Sequence, residues 1–493
     1  MVQHLSSLDA SFLHLETPET PMHVGSLVLL EPLKDRPDSL YEDIKAMLIN
    51  RSNISRIFQH KLAPMPFELA EPVWIEDGDV DFDYHIRHVI LPKPGSMLQL
   101  EALIARLHSS PLDRSRPLWE AYVVEGMSDG RAAYYFKGHH SALDGQSGAE
   151  LAKAIYDLTP EVRVFDAPQR PKRQQYQLGV AEMVEAGVSN AARAYLNVVK
   201  SLPGAAKGVG SLVKDVVTGG DIVGRLKTLA PAPRTLFNVS ITNQRSYATF
   251  TASVAEIKAV GKRLGGTVND TVMAICSTAL RDFLAERGDL PKASLVAAAP
   301  VSLREAGDAT MNNQVSMMMV SLASDVDDPV ARFKAIRASS TNSKSLMSSL
   351  RGAIPTDLPI LGSPWMMSGF ATLYGRSGLA DRAPAQANVV ISNVPMSPVT
   401  QYLAGAKMLS AYAVSIPYHG MALNITVQSY DGSMDFGLTA CRRALPAAEL
   451  QSLVKHLSKA YELYKAIPAP EQAPTEATPE PKAVPRSRAK AKA

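Results

Sequence analysis

The run His-His-Ser-Ala-Leu-Asp-Gly at residues 139–145 constrains the fold and chemistry of this chain more than any other feature. Residues 131–137 are rich in strand-forming aromatics, and the segment after the run places Leu151, Ile155 and Leu158 on one helical face. The run is therefore predicted to lie at a turn between a strand and a helix. An imidazole suits proton transfer near neutral pH, and a nearby carboxylate can fix its orientation and tautomer. The pattern indicates a general base.

Each polar residue of the run has a predicted role. His140, the histidine nearer the turn, is the predicted base, and His139 is a supporting residue that orients or packs. Asp144 either constrains the imidazole or holds the turn through an ion pair with an arginine elsewhere. Gly145 permits a backbone conformation that a Cβ would penalise. The alternative is that the whole run is structural, because a short motif of this kind also occurs in turns without function.

The length of 493 residues exceeds what one hydrophobic core usually supports, so two domains are expected. Strand-like segments, such as 84–90, and helical segments, such as 268–287, alternate over residues 1–163 and again over 241–466, and each range is interpreted as an α/β domain. Residues 164–240, with proline-rich basic ends, are predicted to form a connector with an amphipathic helix. Residues 467–493, mainly Pro, Ala, Glu and Lys, are predicted to be a disordered tail.

Composition narrows the classes of function. A net charge of +3 is too small to indicate nucleic-acid binding. Cys276 and Cys441 are too few for a disulfide framework or a zinc cluster, so no metal is expected. Cys276 falls on the apolar face of a predicted helix and is interpreted as a core residue. With no export signal and no apolar run of about 18 residues, a cytoplasmic protein with only peripheral membrane contact is expected.

Further motifs occur in a fixed order along the chain. They are Leu-Asp-Ala-Ser-Phe at 8–12, Pro-Met-His-Val-Gly at 21–25, Pro-Leu-Trp at 117–119, Gly-Thr-Val-Asn-Asp at 266–270, Pro-Val-Ser-Leu-Arg at 300–304 and Ile-Ser-Asn-Val-Pro at 391–395. Together with the histidine motif, this ordered set resembles the bacterial wax ester synthase/acyl-CoA:diacylglycerol acyltransferase family over roughly residues 5–465. The family's Leu-Asn-Gly-Pro-Ile element is replaced here by residues 236–241, which keep Asn238 and a following Arg245 but lack the Gly-Pro.

The resemblance implies an α/β fold (an α+β sandwich) of two chloramphenicol-acetyltransferase-like domains around a central tunnel, with the histidine motif at its middle. It also implies transfer of a long-chain acyl group from acyl-CoA, a co-substrate and not a bound cofactor, to a fatty alcohol, a diacylglycerol or both. His140 would take the alcohol's proton, and the alcohol would attack the thioester directly without an acyl-enzyme. The expected site of action is the inner membrane face or a lipid inclusion. The residues that contact coenzyme A and the oligomeric state stay open.

Several alternatives remain at this stage. Gly145, Asn269 and Asp270 either line the substrate channel or are structural, with Asn269 as the N-cap of a helix. Trp119 is interpreted as a core anchor and not as a substrate contact. A peptide-condensation-type acyltransferase shares the histidine motif, although no carrier-protein sequence lies in this chain. A non-catalytic lipid-surface binding protein is the second alternative, which the intact His140, Asp144 and Gly145 disfavour.

Overall fold

The structure, a computed structural model, describes residues 3–5, 7–33, 39–63, 72–143, 145–165, 231–302, 315–350, 373–375 and 377–468. These residues form a mixed α/β protein with two sheet-rich halves, which confirms the predicted fold class. The amphipathic helix predicted within the connector and nearly all of the predicted tail lie outside the described residues.

The first half contains seven strands and five α-helices among the described residues. In chain order they are β1 (Gln3–His4), α1 (Ser7–Leu15), β2 (His23–Leu30), α2 (Leu40–Arg51), β3 (His60–Ala63), β4 (Val73–Glu76), α3 (Phe82–His85), β5 (Ile86–Ile90), α4 (Met97–Ser109), β6 (Trp119–Glu125), β7 (Ala132–His139) and α5 (Gly145–Ile155). A short 3₁₀ helix, Arg56–Phe58, precedes β3.

Two boundaries in this half differ from those predicted. A strand is predicted over residues 84–90, but the side chain of Asp81 accepts a hydrogen bond from the Tyr84 amide and starts the helical turn α3, so the strand begins only at Ile86. Leu158 is predicted to share a helical face with Leu151, which is wrong. Helix α5 ends at Ile155, and Leu158 is 67 % exposed beyond it.

The second half contains eight strands and four α-helices among the described residues. They are β8 (Arg245–Ser253), α6 (Val254–Arg263), α7 (Val268–Glu286), β9 (Val296–Ser302), β10 (Val315–Ser321), α8 (Pro329–Leu350), β11 (Val389–Pro395), β12 (Tyr402–Leu403), β13 (Ala406–Val414), β14 (Leu423–Tyr430), β15 (Ser433–Cys441) and α9 (Ala447–Ala466). A 3₁₀ helix, Leu379–Asp381, precedes β11.

The strands form two six-stranded mixed sheets and one small sheet. Their orders are β10-β9-β11-β14-β15-β8, β12-β13-β2-β7-β6-β5 and β1-β4-β3. Strand β13 belongs to the second half of the chain but pairs antiparallel with β2 of the first, with Val414 opposite Gly25 and Met408 opposite Leu30. The sheet that carries the histidine motif is therefore built from both halves, a pairing that the alternation of predicted elements did not reveal.

The cores confirm two predictions about single residues. Trp119 is fully buried in β6, where it stacks on His85 and Phe136. Cys276 is fully buried on α7, and this burial raises the pKa of its thiol to about 12. Trp119 is therefore a core anchor, and Cys276 is an unreactive apolar side chain.

Polar contacts of β8 join it to β13, which pairs with β2 of the first half, and to α4 of the first half. Side chains of alternate strand residues share a face, and the hydroxyls of Tyr247 and Thr249 donate to the carbonyl oxygen of Ala413 (3.1 Å) and to the buried carboxylate of Glu101 (2.7 Å). The backbone amide of Arg245 donates to the hydroxyl of Ser109, at the end of α4, over 3.2 Å. Because α4 lies against β8, the halves meet along a continuous strand.

The segment that enters the second half is held by a buried asparagine pair. The amide nitrogen of Asn238 donates to the carbonyl oxygens of Ala387 and Gly420, each over 2.8 Å, and its oxygen accepts from Asn388, also over 2.8 Å. Asn238 is the residue retained from the family's Leu-Asn-Gly-Pro-Ile element. Its contacts fix the entry into the second half without the missing Gly-Pro.

Candidate active site

The histidine motif lies where it is predicted, between a strand and a helix. His139 is the last residue of β7 and pairs with His23 of β2. The backbone amide of His140 donates to the carbonyl oxygen of Met22 over 2.8 Å. This hydrogen bond ties the start of the turn to the residue that precedes β2. Helix α5 begins at Gly145. Asp144 lies outside the described residues, and so do its proposed contacts.

His139 is a buried side chain whose two ring nitrogens have different neighbours. Its Nδ1 accepts from the backbone amide of Ser141 (3.1 Å) and lies 2.7 Å from the Ser141 hydroxyl. An imidazole nitrogen that accepts from an amide carries no proton, so the proton of the neutral ring lies on Nε2. Nε2 faces the Glu16 carboxylate at 3.5 Å, which is ion-pair range and longer than a good hydrogen bond. The His139 ring is therefore held by hydrogen bonding at Nδ1, while Nε2 only faces a carboxylate.

Glu16 is a site residue that the sequence did not reveal. Its carboxylate accepts from the Met22 amide (3.0 Å) and from the guanidinium of Arg114 (2.7 Å), besides facing His139. Burial would raise the pKa of Glu16, but contact with His139 and the charge of Arg114 outweigh it and lower this pKa to about 2. Glu16 thus supplies a fixed negative charge beside the motif.

His140 is half-buried and differs from His139 in its surroundings. Its ring stacks on Phe12 of α1, with centroids 4.0 Å apart and planes 17° from parallel. Its Nδ1 is buried and has no hydrogen-bond partner in the described part of the chain. Burial lowers the pKa of His140 to about 4. The ring is therefore neutral at physiological pH and can accept a proton.

Two further histidines and a buried arginine lie behind the motif. The Nε2 of His23 lies 2.7 Å from the carbonyl oxygen of His108, while the ring of His108 contacts the hydroxyl of Tyr135 and the carbonyl of Ser415. Burial, together with the charges of Arg245 and Lys137, lowers the pKa of His108 to about 3. These histidines are neutral, and their hydrogen bonds to backbone carbonyls give them a structural role.

Asn269 and Asp270 lie at the start of α7, but the cap is not where it is predicted. The N-cap is Thr267, because its hydroxyl accepts from the Asp270 amide while the Asp270 carboxylate accepts from the Thr267 amide (2.9 Å) and hydroxyl (2.8 Å). The prediction of an N-cap at Asn269 is therefore wrong by two residues. Asp270 is buried in this capping box. No hydrogen bond, ion pair or ring contact among the described residues joins Asn269 or Asp270 to the histidine motif.

Within the described ranges, no three His, Cys, Asp or Glu side chains are grouped as metal ligands would be. No helix in the same ranges combines the length and apolar character needed to cross a bilayer.

Known proteins share this architecture. The fold is similar to the first condensation domain of the CDA synthetase, with a TM-score of 0.53 at 15% identity over 95% of this chain and 97% of that one. It is also similar to the wax ester synthase/diacylglycerol acyltransferase of Marinobacter aquaeolei VT8, with a TM-score of 0.64 at 29% identity over 94% of this chain and 100% of that one. The two sheet-rich halves thus have the fold of the condensation-domain and wax ester synthase/diacylglycerol acyltransferase structures.

Sequence comparison gives the family. The family models described as the wax ester synthase/diacylglycerol acyltransferase catalytic domain and the WS/DGAT C-terminal domain match residues 5–272 and 311–465. A putative diacylglycerol O-acyltransferase of Mycobacterium bovis is 36% identical over 91% of this chain and 96% of its own length. The O-acyltransferase WSD of Acinetobacter baylyi is 32% identical over 95% of this chain and 98% of its own. The chain therefore belongs to the wax ester synthase/diacylglycerol acyltransferase family and is an acyltransferase.

Proposed function

We propose that this protein moves a long-chain acyl group from acyl-CoA to the hydroxyl of a fatty alcohol, a diacylglycerol or both, with His140 as the general base. Family membership supports acyl transfer to an alcohol or a diacylglycerol. The observation that carries the choice of base is that His140 is half-buried, neutral and without a partner on Nδ1 among the described residues. His139, in contrast, has its Nδ1 occupied by the Ser141 amide, and its Nε2 faces the Glu16 carboxylate at 3.5 Å without a hydrogen bond among the described residues.

The reaction follows from the chemistry of an alcohol and a thioester. A hydroxyl is a poor nucleophile, so His140 removes its proton as the oxygen attacks the acyl carbonyl. Because Nδ1 of His140 is buried, Nε2 is the ring nitrogen that takes this proton. The tetrahedral intermediate then collapses, the carbon–sulfur bond breaks, and the thiolate of coenzyme A leaves with the proton from the imidazolium. The base is restored with no net change.

No acyl-enzyme is needed in this scheme. Ser141 is buried, and its hydroxyl lies 2.7 Å from Nδ1 of His139, on the far side of that ring from Glu16. Cys276 is buried on α7 with a raised thiol pKa. Neither side chain forms a hydrogen bond with the Nδ1 of His140. Asp144 is proposed to hold the turn, in keeping with its place in the motif.

We further propose where the reaction takes place. In the proposed division into residues 1–163 and 241–466, the histidine motif would lie where the halves meet, and the pairing of β13 with β2, the neighbour of β7, supports this. A tunnel at this junction would bring acyl-CoA and the alcohol together. Both acceptor classes are lipids, so the protein would act at the cytoplasmic face of a membrane or on lipid inclusions, with acyl-CoA bound only during turnover. Gly145 and Asn269 remain candidate channel residues.

The experiment that tests this function is an acceptor comparison with purified protein. Palmitoyl-CoA is supplied with hexadecanol, with a diacylglycerol, or with an amine, and free thiol is followed together with the lipid product. We expect thiol release with one or both hydroxyl acceptors and none with the amine. Release with the amine alone would favour the condensation-type alternative. Lipid binding without any thiol release would favour the non-catalytic alternative.

The activity is expected to persist into mildly acidic solution. The pKa of His140 in the free protein is lowered to about 4, so the base stays unprotonated at all pH values well above that. We expect kcat/KM to be independent of pH from about 7 to about 5, with its acid limb near 4, because this constant reports the free enzyme. An acid limb near the ordinary histidine value of 6.5 would contradict the assignment.

The lowered pKa of His140 also makes the free energy of unfolding depend on pH. An unfolded histidine takes up a proton near pH 6.5, whereas folded His140 does so only near 4, so the unfolded chain binds more protons between these values. Stability rises with pH wherever the unfolded state binds more protons. The free energy of unfolding should therefore fall as pH drops from about 6.5 to about 4, and activity in this range must be corrected for the folded fraction.

Removing the charge of Glu16 is expected to impair catalysis. Glu16→Gln keeps the shape of the side chain but leaves the Nε2 of His139 without a facing carboxylate, so the motif can shift. We expect kcat to fall about tenfold, because small displacements at a reacting site are costly. Initial rates with hexadecanol measure the effect. Glu125→Gln, which removes the carboxylate beside the surface residue His88, is the matched control and should keep the parental rate. An unchanged Glu16→Gln rate would show that Glu16 is not part of the site.

A further inference from the structure

The face of the His140 ring is covered by an aromatic side chain from the N-terminal helix. Phe12 lies on α1, inside the Leu-Asp-Ala-Ser-Phe motif, and its ring is 4.0 Å from that of His140 with 17° between the planes. This is a close face-to-face stack. The motif that carries Phe12 has no part in the scheme above, although it lies directly against the base.

The stack matters because little else in the described structure orients this imidazole. A histidine base usually has its second ring nitrogen hydrogen-bonded to a carboxylate or carbonyl, which fixes the ring. The Nδ1 of His140 has no such partner in the described ranges. Its backbone is fixed by the 2.8 Å hydrogen bond to the carbonyl of Met22, but that bond leaves the side-chain torsions free.

Phe12 is well placed to provide this orientation because its helix is anchored. Ala10 and Leu13, its neighbours on α1, are fully buried or nearly so, and Leu13 packs in the main core of the first half. Asp9 and Ser11 are also buried. The backbone that carries Phe12 is therefore held by packing, and its ring is a rigid surface for the imidazole.

We propose that Phe12 is a positioning residue for His140, holding the imidazole plane by stacking and covering one face of the ring against water. This inference rests on the proposed function, because it requires His140 to be the base. Phe12 makes no covalent contact and moves no proton. It acts only through His140.

The same contact favours the reaction as charge develops. When His140 takes the alcohol's proton, a cation forms over the face of the Phe12 ring, and such a cation is attracted by the ring quadrupole. The stack therefore orients the neutral ring before the reaction and stabilises the imidazolium during it. An aliphatic side chain of similar size would exclude water but would provide neither effect.

The test compares variants that distinguish the aromatic face of Phe12 from the apolar volume of its side chain. Phe12→Leu keeps an apolar side chain without the aromatic face, and we expect kcat to fall about tenfold with both KM values within about twofold, the size expected for one aromatic contact. Phe12→Tyr restores the ring and should keep kcat within about threefold. If thermal unfolding shows that the Phe12→Leu protein is not folded, Phe12→Met provides the same comparison. Leu15→Ala, at the exposed end of α1, is the matched control and should be unchanged.

A double-mutant comparison decides whether Phe12 acts through His140. In the His140→Ala background, Phe12→Leu should cause no further loss of the residual rate, because the residue it positions is gone. An equal loss in both backgrounds, or a parental kcat for Phe12→Leu, would overturn the inference. If His140→Ala itself keeps the parental rate, the proposed function fails first. If His140→Ala is inactive and Phe12→Leu is not impaired, only the role of Phe12 fails.

Discussion

Replacing His140 by alanine is expected to lower kcat by about 10²–10⁴-fold, the usual contribution of general acid–base catalysis by a positioned side chain. His140 is half-buried with a pKa lowered to about 4, so it is the neutral imidazole available to accept a proton. The substitution removes the base and the stack on Phe12 but no hydrogen bond of the side chain among the described residues. Initial thiol release with palmitoyl-CoA and hexadecanol measures the loss.

The matched comparison is His139→Ala. His139 is bound by Ser141 and faces Glu16, so its loss should disturb the turn without removing the base, and kcat should fall less than in His140→Ala. Thermal unfolding of both variants shows whether they remain folded. A His140→Ala protein that turns over at the parental rate would show that another group takes the proton.

Substituting Gly437 by valine is expected to destabilise the protein by roughly 3 kcal/mol or more, at the upper end of what overpacking costs. Gly437 lies in β15, next to β13 of the sheet that carries the histidine motif. A Cβ at this position would lie 1.9 Å from the carbonyl oxygen of Ala413 in β13. That atom is backbone and accepts the hydrogen bond of Tyr247, so it has little room to move. Denaturant unfolding measures the loss of stability.

Activity should fall together with stability in this variant. Strand β13 pairs with β2, and β2 pairs with β7, which carries His139, so displacing the crossing strand moves the sheet under the motif. Gly148→Ala is the matched control, because a Cβ at that position of α5 would meet nothing within 4 Å. It should leave stability unchanged or raise it slightly. A fully stable Gly437→Val protein would mean that the crossing is looser than described.

Local patterns predicted most elements of this fold. Helix α7 is predicted over residues 268–287 and observed over Val268–Glu286, because its apolar spacing continues to the end. The N-cap residue of that helix could not be predicted in the same way, because Asn, Asp and Thr are all good caps. Only the hydrogen bonds in the structure identify Thr267 as the cap. The Asp81 cap, which starts the helical turn at residues 82–85, was not predicted because the side chains that follow it are typical of strands.

Contacts between distant residues could not be predicted. Nothing in the alternating pattern of β13 indicates that it pairs with β2 and not within its own half, because period two is the same for either partner. Glu16 has no local pattern, and its role arises only when β2 and β7 bring Met22 beside His140. The stack of Phe12 on His140 arises in the same way. The proposed base could therefore be identified from the motif, whereas its neighbours Glu16 and Phe12 could be identified only from the tertiary structure.

The central claim is that the alcohol attacks the thioester directly, with His140 as base and no acyl-enzyme. The most direct test is rapid-mixing measurement of free thiol when palmitoyl-CoA is added to the protein without an acceptor. We expect no burst of thiol and no acyl group retained on the denatured protein, and full-rate thiol release only after the hydroxyl acceptor, hexadecanol or a diacylglycerol, is added. A burst of one thiol per protein, with the acyl group on a serine or cysteine, would contradict the account.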